Sequence, residues 1–287
     1  MSGAERPGRV GVLVPVVFDE YFARLLHGVA DAVYEHRLRL VLAPSRQEHA
    51  REVELLDELR DETGGAVVIL PEQSSDELLA ALADGYRLVV CDPRLPLDAR
   101  IPSVASANAA GAEQAVRHLV ELGHRRIAAI TGPPGWVASE ERRRGYRAAL
   151  EDAGISFDPA LELEGDFDLE PGNQAAAALL ELERPPTAIF AFSDLIALGA
   201  MRAARARRLA VPEELSIVGF DDSAYARIVY PALTTVRQPL AEIGATAVDL
   251  LVRLMRNEPV DTLHLEKFTR LVVRETTSRP RAESRSS

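Results

Sequence analysis

Two adjacent carboxylates close an apolar run in Ile217-Val218-Gly219-Phe220-Asp221-Asp222. In open α/β sheets, small ligands bind in the crevice outside the carboxyl ends of the strands. Polyols and sugars need carboxylates, amides and arginine for paired hydrogen bonds, and an aromatic face for the apolar side of the ring. A second strand reads from Leu233 to Val236 and runs into Arg237-Gln238-Pro239. Pro239 has no N–H to donate to a ladder and so stops that strand, but proline suits the start of a helix. An acidic strand end followed by a strand-to-helix crossover predicts a ligand cleft beside a chain crossing.

Other chemistries lack their residues. The six histidines show no metal spacing such as H-E-x-x-H, and no G-x-S-x-G nucleophile turn occurs. The first strand runs into Val16-Val17-Phe18-Asp19-Glu20 without G-x-G-x-x-G, and Gly132-Pro133-Pro134-Gly135-Trp136 lacks the G-K-[ST] ending of a P-loop. The expectation is a protein that is not an enzyme and uses no metal or cofactor. His124 reads as a structural residue in a helix-to-strand turn.

The elements that must position these groups alternate from end to end. Val10 to Val14 reads as a buried parallel strand ending at Pro15. Phe22, Leu25, Leu26, Val29, Ala32 and Val33 then recur at helical spacing. Further strands read at Leu38–Leu42, Ala66–Leu70 and Leu88–Cys91, with an extended piece at Pro102–Ala105 and a helix from about Ala109 to Glu121 stopped by Gly123. A second series opens at Arg126–Thr131. It continues through a helix over Ser139–Asp152, whose Ser139, Glu140 and Glu141 give capping and dipole signals. A strand at Ala188–Phe192, a helix at Leu195–Arg207 and a strand at Leu215–Gly219 follow. Leu240, Ile243, Ala247, Leu250, Leu251 and Leu254 stripe an amphipathic helix, Leu263 to Val273 reads as late strand, and the polar tail from Thr276 reads as disordered. Alternating βαβα means doubly wound parallel sheets covered by helices. Two such series, split near Gly123, predict two similar lobes.

Length and composition agree. A chain of 287 residues, 47% hydrophobic, suits two α/β units. No apolar run reaches about 18 residues, which argues against a membrane partner, and no leader-like apolar stretch opens the chain. A single cysteine, Cys91, fits a reducing cytoplasm. The net charge of −11 argues against the chain as a whole being a nucleic-acid surface. The runs Arg142–Arg144 and Arg202–Arg208 lie in predicted helices, where neighbours point about 100° apart, and read mostly as solvated faces.

Taken together the landmarks resemble the effector-binding core of LacI/GalR transcriptional regulators, from about Arg9 to Arg279. They are Val10–Pro15, Tyr21-Phe22 with Gly28, His118-Leu119 through Gly123-His124-Arg125-Arg126-Ile127, and Arg142 with Gly145-Tyr146. Asp194 with Ala197–Ala200, Gly219–Asp222 and Leu233–Pro239 complete the set. The resemblance implies a fold like type I periplasmic binding proteins: two lobes joined by three crossovers, with a small polar molecule clamped by hinge closure. The first lobe would hold residues 9–123 and 238–258 and the second 124–237 and 259–279, with crossings near Gly123, Arg237 and Asn257 and disordered tails at 1–8 and 280–287. It also implies a cytoplasmic homodimer, with the helix over Leu240–Leu254 offering an apolar face. Operator DNA would be met only through a helix-turn-helix absent from this chain. The same fold serves transport solute-binding proteins, which would carry an export signal.

Site residues follow from the resemblance and from position. Asp221 matches an effector-contacting carboxylate, leaving a capping role to Asp222. Arg142 matches the effector arginine, whose fork grips adjacent hydroxyls or a carboxylate, against the alternative of a surface ion pair. Phe167 matches an aromatic that stacks on effectors, with ordinary interdomain packing as its alternative. Of Tyr21 and Phe22, one lines the cleft and the other enters the core. Asp19 serves either as an N-cap or as a contact, and Asp92 lies just beyond its strand, facing the crevice, where Asp-Pro is also turn chemistry. Gln238 sits at a crossover and Trp136 in a loop at the rim. Two departures from the family pattern bear on ligand identity. Ser193 stands where Asn usually precedes Asp194, losing a bidentate amide, with Asp194 read as the cap of the next helix. Ala107 replaces an Asp before Asn108.

Overall fold

A computed structural model describes residues 8–281, which form two compact units. The first comprises residues 8–106 and 239–267, the second 107–238 and 268–281. Apart from Gly8, Pro280 and Arg281, the tails expected to be disordered lie outside the described residues.

In the first unit the sheet is built from β1 (Arg9–Val14), β2 (Arg39–Pro44), β3 (Gly65–Ile69), β4 (Arg87–Cys91), β5 (Ser103–Ser106) and β11 (His264–Lys267). Its order is β11-β5-β4-β3-β1-β2 and every pairing is parallel. The apolar runs of β1, β3 and β4 are buried on both faces, as continuous hydrophobic strands should be, whereas β2 is an edge and half exposed. Helices α1 (Glu20–Glu35), α2 (His49–Glu62), α3 (Ser75–Ala83) and α9 (Leu240–Met255) cover the sheet. Phe22, Leu25, Val29, Ala32 and Val33 face inward, as their spacing predicts. Helices α1 and α9 approach closely through glycine: a Cβ on Gly28 would lie 1.8 Å from the Ala241 carbonyl oxygen, and one on Gly244 2.3 Å from that of Leu25.

The second unit repeats the plan. Its strands are β6 (Ile127–Thr131), β7 (Glu162–Glu164), β8 (Ala188–Ala191), β9 (Ser216–Asp221), β10 (Thr234–Arg237) and β12 (Arg270–Val272), in the order β12-β10-β9-β8-β6-β7. All pair in parallel except β12, which runs antiparallel to β10. An antiparallel edge on a parallel sheet is common, because an edge strand needs no buried crossover helix. Helices α4 (Asn108–Glu121), α5 (Val137–Asp152), α6 (Leu169–Leu180), α7 (Asp194–Ala206) and the short α8 (Ala224–Ile228) belong to this unit.

Several expectations are corrected. The first boundary falls at Ser106–Ala107 rather than near Gly123, because Ala112, Ala115, Val116 and Leu119 of α4 bury their apolar face in the second core. The others fall at Gln238–Pro239 and Lys267–Phe268, since β11 pairs with β5 of the first sheet while β12 joins the second. Gly123, at φ +104°, keeps its role as the left-handed stop of α4. The segment from Thr276 is ordered as far as it is described. Thr276 is fully buried, its hydroxyl donates to the Ile217 carbonyl at 2.7 Å, and Ser278 N donates to Ser216 Oγ at 3.0 Å. Helix α9 buries Leu240, Ile243, Ala247, Val248, Leu250, Leu251 and Val252 within its own unit, so its apolar stripe is core and not a free dimer face.

Candidate functional site

The polar groups of the second unit gather at the carboxyl ends of β6, β8, β9 and β10. Helix α5 begins at Val137, two residues before the expected cap. Trp136 holds the N-cap position without a side-chain capping bond, and Ser139 is buried in the first turn. Arg142 lies on the inner face of this helix, only 4% exposed, which removes the surface ion pair as a reading. Its Nε donates to Asn108 Oδ1 at 2.9 Å and its Nη1 to the Phe192 carbonyl. The guanidinium carbon lies 3.8 Å from the Phe220 ring centroid and 5.6 Å from that of Phe167. A cation over an aromatic face inside a dry site is worth about 1–2 kcal/mol.

Phe167 sits in a loop with left-handed φ of 47°, and its ring covers Gly132, where a Cβ would lie 2.2 Å away. Trp136 stands beside it, ring centroids 5.7 Å apart. The two aromatics and Arg142 therefore form one cluster, with an apolar wall and a cation at its base.

Asp221, half-buried, ends β9 at φ +125°, and Gln238, fully buried, donates from Nε2 to Asp221 Oδ1 at 2.6 Å. Asp222 pairs with two arginines. Its carboxylate is 3% exposed and accepts from Arg237 Nε at 2.5 Å and from Arg274 Nη2. Burial alone would raise its pKa, but the bonds and charges of Arg274 and Arg237 outweigh that and hold it below the ordinary carboxylate value.

The capping role expected of Asp194 falls to Ser193. Ser193 Oγ is the N-cap of α7, accepting from Ile196 N at 3.2 Å. Asp194, 1% exposed, instead accepts from Ser223 N at 2.7 Å, Ser223 Oγ at 2.8 Å and Thr235 Oγ1 at 2.5 Å. Burial, then the neighbouring charge of Asp221, push its pKa up to about 7.

In the first unit the corresponding strand ends bring together Tyr21 and Asp92. Tyr21 Oη donates to Asp92 Oδ2 at 2.5 Å, and Asp92, at φ +50°, is 6% exposed. Phe22 is the member of its pair that enters the core. Asp19 is the N-cap of α1, accepting from Tyr21 N at 2.8 Å. His124 bonds Thr187, Ser216 and the Ser278 carbonyl, as its structural reading requires.

Sequence reasoning does not single out Asn108, Thr235, Arg274 or Glu52 as site residues. Asn108 carries a signal, an amide opening a helix directly after a strand. The other three carry none, because their partners are distant in the chain. Glu52, 1% exposed in α2, accepts from Glu72 N at 2.7 Å, and burial raises its pKa to about 7. Among the described residues no cluster of histidine, cysteine, aspartate and glutamate could hold a metal ion, and no helix is long and apolar enough to cross a membrane.

Residues 116–277 match the family model of a periplasmic binding protein-like domain. The ribose operon repressor of Halalkalibacterium halodurans is 33% identical over 274 residues, covering 94% of this chain and 80% of the repressor. The solved complex of the transcriptional regulator CelR with cellobiose is 34% identical, with a TM-score of 0.85, and covers 94% of this chain and 85% of that one. A LacI family transcriptional regulator from Mycobacterium smegmatis is 31% identical with a TM-score of 0.81, covering 95% of this chain and 100% of the other.

Proposed function

Because the chain belongs to the LacI family of transcriptional regulators, we propose that it is an effector-sensing core whose ligand is a small polar molecule, a sugar or related metabolite. The transport and enzyme alternatives are set aside, since its relatives are repressors. One observation carries the reading of the site. Arg142 is buried between two aromatic rings at the same strand-end face that presents Asp221 and Gln238. A cation, a carboxylate and an amide beside an aromatic wall are the groups that pair with vicinal hydroxyls and cover a ring's apolar side. The proposed contacts in this unit are Trp136, Arg142, Phe167, Ser193, Asp221 and Gln238, with Ser193 doubling as a cap. In the first unit they are Tyr21 and Asp92, with Asp19 secondary and Phe22 reduced to supporting Tyr21. The relatives' names, one a ribose operon repressor and one solved with cellobiose, support a carbohydrate.

A thermal-shift screen of sugars, polyols, nucleosides and sugar phosphates tests this, because a ligand that binds only the native state raises its melting temperature. Asp221→Ala and Arg142→Ala should each weaken the best ligand by about 1–3 kcal/mol in calorimetry. Unchanged affinity in both would remove the site.

We further assign the protein to the cytoplasm and to a homodimer that meets operator DNA as its family does. The buried stripe of α9 leaves the dimer to other surfaces. Exposed Tyr225, Ile228 and Tyr230, at 49%, 76% and 90%, support a contact around α8. Sedimentation should show a dimer that Ile228→Asp dissociates, and a concentration-independent monomer of the wild type counts against it.

A further inference from the structure

The turn after β9 is strained. Asp221 and Asp222 both have positive φ, +125° and +52°, a backbone conformation unfavourable for residues that carry a Cβ. Such a conformation persists only where its surroundings hold it. Asp222 is held through its side chain by Arg237 and Arg274. Asp194 holds the rest from α7. Its Oδ2 accepts both the amide and the hydroxyl of Ser223, the residue just past the strained pair. Its Oδ1 meets Thr235 Oγ1 on β10, which in turn accepts from Asp222 N at 3.4 Å.

We propose that Asp194 is a positioning residue for Asp221, fixing through Ser223 and Thr235 the left-handed turn that presents the effector-contacting carboxylate. The proposal rests on the reading of Asp221 as such a contact. Gly219 fits it independently: a Cβ there would lie 2.5 Å from Asp194 Oδ1, so a side chain at this point of the strand would displace the carboxyl.

The same geometry accommodates a proton. When Asp194 is neutral, its Oδ1–H donates to Thr235 Oγ1 while Oδ2 goes on accepting from Ser223. Asparagine can reproduce that pattern, its Nδ2 donating to Thr235 and its Oδ1 accepting from Ser223; alanine cannot. The charged group that acts on Asp194 is Asp221 at the end of β9; Asp222, just beyond it, is paired with Arg237 of β10 and Arg274 of the C-terminal segment, and Arg142 of α5 is bonded to Asn108 and the Phe192 carbonyl. Glu170 of α6 is engaged with Arg202 at the surface. Asp222 is already paired with two arginines, which leaves Asp221 as the charge that, with burial, raises the pKa of Asp194.

The test is ligand-free NMR on the whole chain. Asp194→Asn should keep the Ser223 amide shift and its exchange protection, whereas Asp194→Ala should lower that protection about tenfold or more. The carboxyl carbon of Asp194, identified by its loss in Asp194→Asn, should titrate with a midpoint at about 7. Should Asp194→Ala not fold, Thr235→Val and Gly219→Ala serve in its place, each expected to loosen the Ser223 amide. Ser223 protection unchanged in every folded variant would overturn the proposal. Unchanged calorimetric affinity of the screen's best ligand for Asp221→Ala, with the Ser223 response as expected, would instead remove the effector reading and leave the positioning role standing.

Discussion

Strand β4 of the first unit and strand β9 of the second occupy the same place in the same sheet order. Each leads into an aspartate with positive φ, Asp92 at +50° and Asp221 at +125°. Their supports differ. Asp92 accepts from Tyr21, and a second buried acid of the first unit, Glu52, belongs to a helix and ties down the loop after β3. Asp221 is flanked by the buried Asp194, an amide and a carboxylate gripped by two arginines. Equal topology thus leaves the strand-end chemistry free to diverge. What fixes each acidic turn is the set of side chains that later elements deliver.

The largest break in this comparison is Arg274→Ala. It takes one of two arginines from the 3%-exposed Asp222 and should cost about 3 kcal/mol in denaturant unfolding, because removing one partner of a buried pair strands the other charge. A loss under about 1 kcal/mol would mean that Arg237 suffices to hold the turn.

Next is the pH dependence of Glu52. A carboxyl that binds its proton more tightly in the folded state contributes stability in full below its unfolded pKa, near 4.5, and loses it as pH rises toward about 7. Glu52→Gln keeps the acceptor for Glu72 N but removes the titration. The variant should therefore gain on the wild type by about 1–3 kcal/mol between roughly pH 5 and pH 8. A constant difference across that range would show that Glu52 is charged throughout.

The smallest effect is expected at Tyr21→Phe, which removes one hydrogen bond to Asp92 and should cost about 1 kcal/mol of stability. A loss as large as that of Arg274→Ala would show the first unit's turn to be no more simply built than the second's.

Much of this was legible in the chain. Strands with continuous apolar runs, such as Val10–Val14 and Leu88–Cys91, and helices with a clear stripe, such as those over Phe22 and Leu240, stand where periodicity places them. Elements without that signal were not. In β7, Glu162-Leu163-Glu164 is a short edge with one apolar residue, and α6 opens with Pro171-Gly172 in its first turn, a pair that reads as a loop. The strand-end position of Asp92, Asp221 and Gln238 was visible for the same reason as the strands themselves. The transfer of the cap from Asp194 to Ser193 was not, because both residue types cap helices equally well. Only the arrival of Ser223 and Thr235, 29 and 41 residues away, makes Asp194 the better acceptor for them.

Local pattern by itself therefore determined the alternation of elements, the parallel sheets and the strand ends where polar groups collect, since these follow from side-chain period and turn chemistry over a few residues. Tertiary structure alone decided which unit α4 and β11 join, that the stripe of α9 is core, and that burial beside Asp221 raises the pKa of Asp194. Each of those depends on free energies of burial and pairing between segments far apart in the chain, which no local window contains.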